Sequence, residues 1–167
     1  MDRMNYKAYL LLGSNMGQKE TNLRMAHSLI ENSVGAILQS SKVYESAAWG
    51  KEDQPNFLNQ VIKIHTSFNP YALLGKLSWI ETSLGRLRAV KWGERIIDID
   101  ILFYDDEIIQ ENILTIPHPG IPKRRFTLIP LNEIAPTLIH PQLGKPISQL
   151  LEMCEDKLKV WEHLTNS

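Results

Sequence analysis

Two aspartates stand one residue apart in RIIDIDILF, Arg95 to Phe103, among isoleucines, a leucine and a phenylalanine. An unpaired carboxylate buried among such side chains costs several kcal/mol, so something must compensate. Alternate side chains of a strand share a face. Asp98 and Asp100 are therefore expected to point one way, and Ile97, Ile99, Ile101 and Phe103 the other way into a core. The aspartate side can then line a cleft. Paired carboxylates suit Mg²⁺, which takes one or two of them and completes its shell with phosphate oxygens and water. By spacing alone, D-x-D fits a solvated sheet face at least as well. The surrounding bases favour the metal reading. Arg86, Arg88, Lys91 and Arg95 precede the aspartates against Glu94 alone, and Lys123, Arg124 and Arg125 follow His118 downstream. In a chain of net charge −1, such clusters suit a bound polyphosphate.

The elements that must hold these groups follow from periodicity. Residues 6–12 read as a strand running into Gly13, and residues 18–32 as a helix with Leu23, Ala26, Leu29 and Ile30 at helical spacing. Residues 36–45 and 57–66 read as strands, with a polar loop over 46–56. Asn69-Pro70 is a helix start with Asn69 at the N-cap. Leu73, Leu74, Leu77 and Ile80 form that helix's stripe, and Gly85 suits its end. A basic loop over 86–94 then leads into the strand 95–104. Strand, helix, strand, strand, helix, strand is the α+β, ferredoxin-like βαββαβ order, an antiparallel sheet with helices on one face. From Asp105 onward the chain is rich in proline and reads as a loop-rich extension, with a last helix over Ser148 to Leu158.

Composition sets outer limits. At 167 residues and 43% hydrophobic content, one compact domain over 1–167 is expected rather than two. The small net charge argues against a nucleic-acid or membrane surface. A single cysteine, Cys154, excludes an intramolecular disulfide and suits a reducing cytoplasm. The apolar run in MDRMNYKAYLLLGSN is too short for a membrane span or a signal peptide. His27, His65, His140 and His163 have no partner at metal-ligand spacing and read as structural.

Several segments, in order, resemble the 6-hydroxymethyl-7,8-dihydropterin pyrophosphokinase family of folate synthesis. They are LLGSNMG, DQPNFLNQV, LLGKLSWIETSLGRLR, KWGERIIDIDILFYDD and LTIPHPGIPKRRFTLIPLNEIAP, and they span about Tyr9 to Leu151. The family moves the terminal pyrophosphate of ATP to the hydroxymethyl group of a reduced pterin and releases AMP. The resemblance implies that Asp98 and Asp100 hold two Mg²⁺ ions on the triphosphate. It implies that Arg86, Arg88 and Arg95 contact phosphate, that Asp98, Asp100, Arg86 and Arg95 act in catalysis, and that Glu81, Ile99, His118 and Arg124 contribute to the ATP site. It places the pterin ring between Phe57 and Phe126, with Asn59 hydrogen-bonding its edge. Ser46, Ala47 and Trp49 align with the loop that reads the pterin, and Trp92 with a closing loop. It implies a cytoplasmic monomer whose partners are ATP and the pterin. The sequence departs from some relatives at Ala47, Ala48, Ser78 and Pro119, and in a shorter RAVKW stretch.

The physics of each assignment is plain. A flat bicycle binds well between two aromatic faces, and an amide matches an edge that both donates and accepts. Phosphoryl transfer asks the protein to position the partners and neutralise charge. Taken singly, Phe57 and Phe126 fit core aromatics, His118 a structural hydrogen-bonder, and Glu81 and Arg88 exposed charges. Three rivals share parts of this pattern, and one of them, a regulatory ligand-binding domain, leaves a paired carboxylate set among arginines unexplained. A nucleotidyltransferase would also use D-x-D metals, but would release pyrophosphate rather than AMP. An RNA-recognition domain shares the strand order, but needs sheet-face aromatics in a set pattern and a basic surface.

Overall fold

A computed structural model describes residues 5–48, 55–85 and 96–164. The elements in chain order are β1 (Tyr6–Ser14), α1 (Lys19–Ser33), β2 (Gly35–Ser40), β3 (Tyr44–Ser46), β4 (Phe57–Thr66), α2 (Pro70–Gly85) and β5 (Asp98–Tyr104). A small hairpin of β6 (Ile109–Gln110) and β7 (Thr115–Ile116) follows, then a 3-10 turn at Ile121–Lys123. The chain ends in α3 (Arg125–Ile134), α4 (Ile147–Met153) and β8 (Val160–Glu162). The main sheet runs β5-β1-β4-β3-β8, with β2 also paired to β4, and every pairing is antiparallel. No helix among the described residues is long and apolar enough to cross a membrane.

The sheet has two apolar faces. On one, Leu10, Leu12, Leu58, Ile62, Ile64, Ile99 and Ile101 meet Leu23, Ala26 and Ile30 of α1 and Leu73, Leu77 and Ile80 of α2. Both helices put their hydrophobic stripe on the sheet, as the 3.6-residue period requires. Asn69 caps α2, with Ala72 N–H donating to its Oδ1 at 2.9 Å. On the other face, Tyr9, Leu11, Val61, Leu102 and Phe103 pack against Ile121, Leu128 and Leu131 and against Ile147 and Leu150 of α4.

That second layer departs from the sequence reading, which put helices on one face and a loop-rich extension after them. Proline density made the extension read as loop. Yet α3 forms around Pro130 because Thr127, Leu128, Pro130 and Leu131 are all buried against the sheet, and tertiary packing overrides the missing N–H. α4 is shorter than expected, ending at Met153 rather than Leu158, and the chain then turns back to form the edge strand β8. The strand expected over 36–45 is broken at Ser41. Its side chain donates to Lys42 O and accepts from Val61 N–H (2.7 and 3.0 Å), so β2 and β3 become separate strands.

A second correction concerns Phe103. The β1–β5 register shifts between Tyr9 and Leu10, where Tyr9 opposes Phe103 but Leu10 opposes Ile101. Leu102 is the extra residue of a β-bulge. Leu102 and Phe103 therefore both face α3 and α4, while Ile99, Ile101 and Tyr104 face α1 and α2. Phe103 does not share a face with Ile97, Ile99 and Ile101.

Candidate active site

Strand register places the chemistry. Asp98 of β5 lies opposite Gly13 of β1, which lies opposite Asn59 of β4, which lies opposite Tyr44 of β3. Directly opposed residues share a face, so this row looks toward α3, as does Asp100 opposite Leu11. Adjacent strands lie about 4.8 Å apart, so Asp98 and Asn59 stand about 10 Å apart across one strand position. That position is a buried glycine, and Asn59 and Phe57 lean over the space a side chain would take. A Cβ on Gly13 would lie 3.2 Å from Asn59 Oδ1 and 3.6 Å from Phe57 Cδ1.

The far side of the row is polar. Asn59 is buried, and its Nδ2 donates to Ser46 Oγ at 3.0 Å. Ser46 opposes Phe57, whose ring is half-buried at the start of β4. Ala47 is exposed and Ala48 buried beyond β3. α3 packs across β3 and β4, bringing half-buried Phe126 in its first turn over the same face. Asp156 fixes that end of α3. Its carboxylate accepts from Arg125 N–H at 2.9 Å and from Leu158 N–H at 2.9 Å, supplying an acid at a helix N-terminus from outside the helix.

The near side carries the charge. Asp98 and Asp100 are both half-buried. The bulge positions their neighbour, because Leu102 O accepts from His118 N–H at 3.0 Å. His118 Nε2 then stands 3.9 Å from Asp100 Oδ2. Gly120 N–H donates to His118 Nδ1 at 2.9 Å, so the neutral ring carries its proton on Nε2, toward Asp100. Burial pushes the imidazole below its ordinary range, Asp100 opposes that, and Arg124 adds to it. The Arg124 guanidinium sits 5.8 Å from the centre of the Phe126 ring. It also crosses Gly120 so closely that a Cβ there would come 2.8 Å from Cζ. Glu81 reaches from α2 to the open edge of β5 and accepts from Ile99 N–H at 2.7 Å.

The start of β5 is pinned from below. Ser14 Oγ donates to Ile96 O at 2.6 Å, and Asn22 Nδ2 donates to Ser14 Oγ and Met16 O at 3.1 and 2.9 Å. Both side chains are buried.

The structure thus brings Asp98, Asp100, His118 and Arg124 to one side of the α3-facing sheet surface, and Ser46, Asn59, Phe57 and Phe126 to the other; Glu81 joins at the β5 edge through Ile99 N–H, while the Ile99 side chain lies in the α1–α2 core. Arg86, Arg88, Trp92, Arg95 and Trp49 lie outside the described residues. Ser78 and Pro119 are exposed. Sequence reasoning missed Gly13, Gly120, Ser14, Asn22 and Asp156. The two glycines stood in quoted motifs, LLGSNMG and IPHPG, where a close approach is a standard reason for glycine. Among the described residues, no group of three or more His, Cys, Asp or Glu is placed to hold a metal ion. A divalent ion at the aspartates would therefore draw most of its ligands from substrate and water. Half-exposed, hard-oxygen carboxylates fit magnesium on those terms.

The family model for 7,8-dihydro-6-hydroxymethylpterin-pyrophosphokinase matches residues 9–136. The chain belongs to this family. Among pyrophosphokinases it is 47% identical to the 2-amino-4-hydroxy-6-hydroxymethyldihydropteridine pyrophosphokinase of Aquifex aeolicus over 141 residues, 84% of this chain and 88% of that one. It is 45% identical to the protein of the same name from Bacillus subtilis over 160 residues, 95% and 92% of the two chains. A solved Plasmodium falciparum HPPK-DHPS triple mutant with STZ-DHP superposes with a TM-score of 0.77 at 20% identity. That match covers 91% of this chain but only 44% of the longer Plasmodium chain, and it speaks to the pyrophosphokinase fold alone.

Proposed function

We infer that the protein transfers pyrophosphate from ATP to the hydroxymethyl group of 6-hydroxymethyl-7,8-dihydropterin, giving AMP and the pterin diphosphate in folate biosynthesis. The observation that carries this reading beyond family membership is the single row Asp98–Gly13–Asn59. The row sets Asp98 about 10 Å from a buried amide across a glycine, with Asp100 two residues along on the same face, a spacing that suits a triphosphate end meeting a heterocycle.

In this reading Asn59 and Ser46 read the pterin edge, while Phe57 and Phe126 cover its faces, with Ala47 and Trp49 beside them. Desolvated aromatic faces give such a ring area burial and offset stacking. His118, Arg124, Arg86, Arg88 and Arg95 take the phosphates, Glu81 and Ile99 the nucleotide, and Trp92 the closed form. Asp98 and Asp100 would hold two Mg²⁺ ions, and bound magnesium supplies the positive charge that phosphoryl transfer needs. Neutral His118 offers Nε2–H to an anionic oxygen without repelling nearby cations. The hydroxyl of the pterin, aligned by the ring contacts, attacks the β-phosphorus and AMP departs. We read the β5-β1-β4-β2 part of the sheet as ferredoxin-like, the chain as one domain, and the protein as a cytoplasmic monomer.

The test is incubation with ATP, magnesium and the hydroxymethyl pterin, followed by chromatography of the nucleotides. Pterin-dependent AMP is expected. Inorganic pyrophosphate with a nucleotidylated product would replace this reading with nucleotidyl transfer.

A further inference from the structure

The strands that form the heterocycle side of the cleft are tied together on their reverse face. Glu45 precedes Ser46 and Asn56 precedes Phe57, and alternation turns both side chains away from the cleft. Asn56 Nδ2 donates to Glu45 Oε2 at 3.1 Å, and Lys19 Nζ of α1 donates to Asn56 O at 2.9 Å. His163, just after β8, completes the tie. Its Nδ1 lies 3.2 Å from Glu45 Oε1 and its Nε2 2.7 Å from Glu20 Oε2 of α1. Its N–H donates to Val43 O at 2.9 Å, which anchors the residue beside β3.

Both ring nitrogens face carboxylates. A neutral imidazole can donate from only one of them, leaving the lone pair of the other against an anion. The charged ring satisfies both. Burial alone would lower the His163 pKa, but the hydrogen bonds and charges of Glu20 and Glu45 outweigh it and hold the pKa above its ordinary value. Burial alone would raise Glu45, but bonds from Asn56 and His163 and the charges of His163 and Lys19 hold it down.

The other charged groups nearby do not displace this pairing. Along α1, Arg24, His27 and Glu31 line a cavity of about 530 Å³ that His163 also borders. Burial lowers His27, with Glu31 opposing, and His27 bonds Ser40 Oγ at 3.1 Å. Lys42 pairs with Glu162 of β8 at 3.6 Å. Glu133 of α3 bonds Tyr44 on the far side of β3.

We propose that His163 is a positioning residue for the pterin. Its bridge from α1 to Glu45 holds β3 against β4, and so holds Ser46, Asn59 and Phe57 in place, without touching the phosphate side. This rests on the assignment of those three residues to the heterocycle. The sign of the pH effect follows. A group whose folded pKa is raised stabilises fully below its unfolded pKa, about 6.5 for imidazole, and that contribution is lost as pH rises through the folded value. Pterin binding should therefore weaken on the alkaline side of that range.

The experiment compares the full chain with His163→Gln and Glu20→Gln from pH 6 to 9. Steady-state kinetics are measured with each substrate varied, and amide hydrogen exchange is followed over residues 44–46 and 56–60 without substrate. Each variant is expected to raise the pterin KM at low pH about three- to fivefold, in line with one partly exposed ion pair. The KM for ATP and kcat should stay within about twofold, and the pH step in pterin KM should vanish in His163→Gln. Exchange over the two strands, corrected for intrinsic rates, should accelerate with pH in the wild type and be uniformly fast in His163→Gln. Equal pterin KM at every pH, or a matching rise in the ATP KM, would overturn the proposal, as would unchanged exchange. If the wild type forms no pterin-dependent AMP, the functional reading fails by itself. The exchange measurement needs no substrate and still decides whether the bridge holds the strands.

Discussion

On the α1–α2 side of the sheet, Leu10, Leu12, Ile62 and Ile64 are sealed from solvent, and the apolar cluster continues from β5 to β4. On the α3–α4 side, Tyr9, Leu11, Val61, Leu102 and Phe103 are covered in the same way, but Asp98, Asp100 and Phe57 remain partly open. The two sides are built from the same strands, so alternation alone separates them. What differs is coverage. α3 reaches over β4 and β3 with its first turn near the polar row and its buried residues farther along. The partly uncovered part carries Asp98, Asp100 and Phe57, the positions proposed above for the phosphates and the pterin. The fold spends one face on stability and divides the other.

This contrast can be broken most sharply at the aspartates. Asp98→Ala and Asp100→Ala should each cut pterin-dependent AMP formation on the order of a thousandfold. Thermal midpoints should move only a degree or two, as half-exposed carboxylates carry little folding energy. A large loss of stability with activity preserved would show those acids to be structural. Next in size is the mirror-image change on the sealed side. Ile62 is fully buried, so Ile62→Ala should cost about 2–5 kcal/mol and lower the thermal midpoint by roughly 5–15 °C. Both KM values should stay near wild type well below that midpoint. Denaturant unfolding and kinetics on one preparation check both halves. The smallest effect sharpens the division within the open face. Gly13→Ala puts a methyl 3.2 Å from Asn59 Oδ1, which overpacks the floor. The pterin KM should rise about tenfold while the ATP KM stays unchanged. Equal rises in both would mean that the floor is not divided between the two substrates.

The sequence foretold the parts of this arrangement that depend on near neighbours. The stripes of α1 and α2, the Asn69 cap and the strand over 57–66 are written within windows of a few residues, where period and cap chemistry can be read directly. The shared facing of Asp98 and Asp100 is likewise a two-residue fact. α3 was not legible, because Pro122, Pro130 and Pro136 signal loop while the burial that overrules them comes from distant strands. Phe103 was misplaced because alternation cannot detect an inserted residue; only the pairing partner Tyr9 reveals the shift. Asp156 and His163 looked like ordinary polar residues. Their partners are Arg125, thirty-one positions away, and Glu20, 143 positions away, and no local pattern encodes such distances. Gly13 and Gly120 were visible as letters, but their purpose is the space they leave, which is a property of neighbours from other strands and loops.

The inserted Leu102 has an effect larger than its size. If β5 kept a single rhythm from end to end with Leu102 retained, Tyr104 would swing to the cleft side while Phe103 turned toward α2. With the bulge, the strand changes phase midway. Its first half keeps Asp98 and Asp100 on the α3 side and its second half packs Leu102 and Phe103 there, and substitutions in one half need no matching parity in the other. One additional residue thus lets a single strand set two successive apolar side chains on the α3–α4 face; deleting it would restore plain alternation, with Phe103 and Tyr104 keeping their faces and only the packing of Leu102 lost.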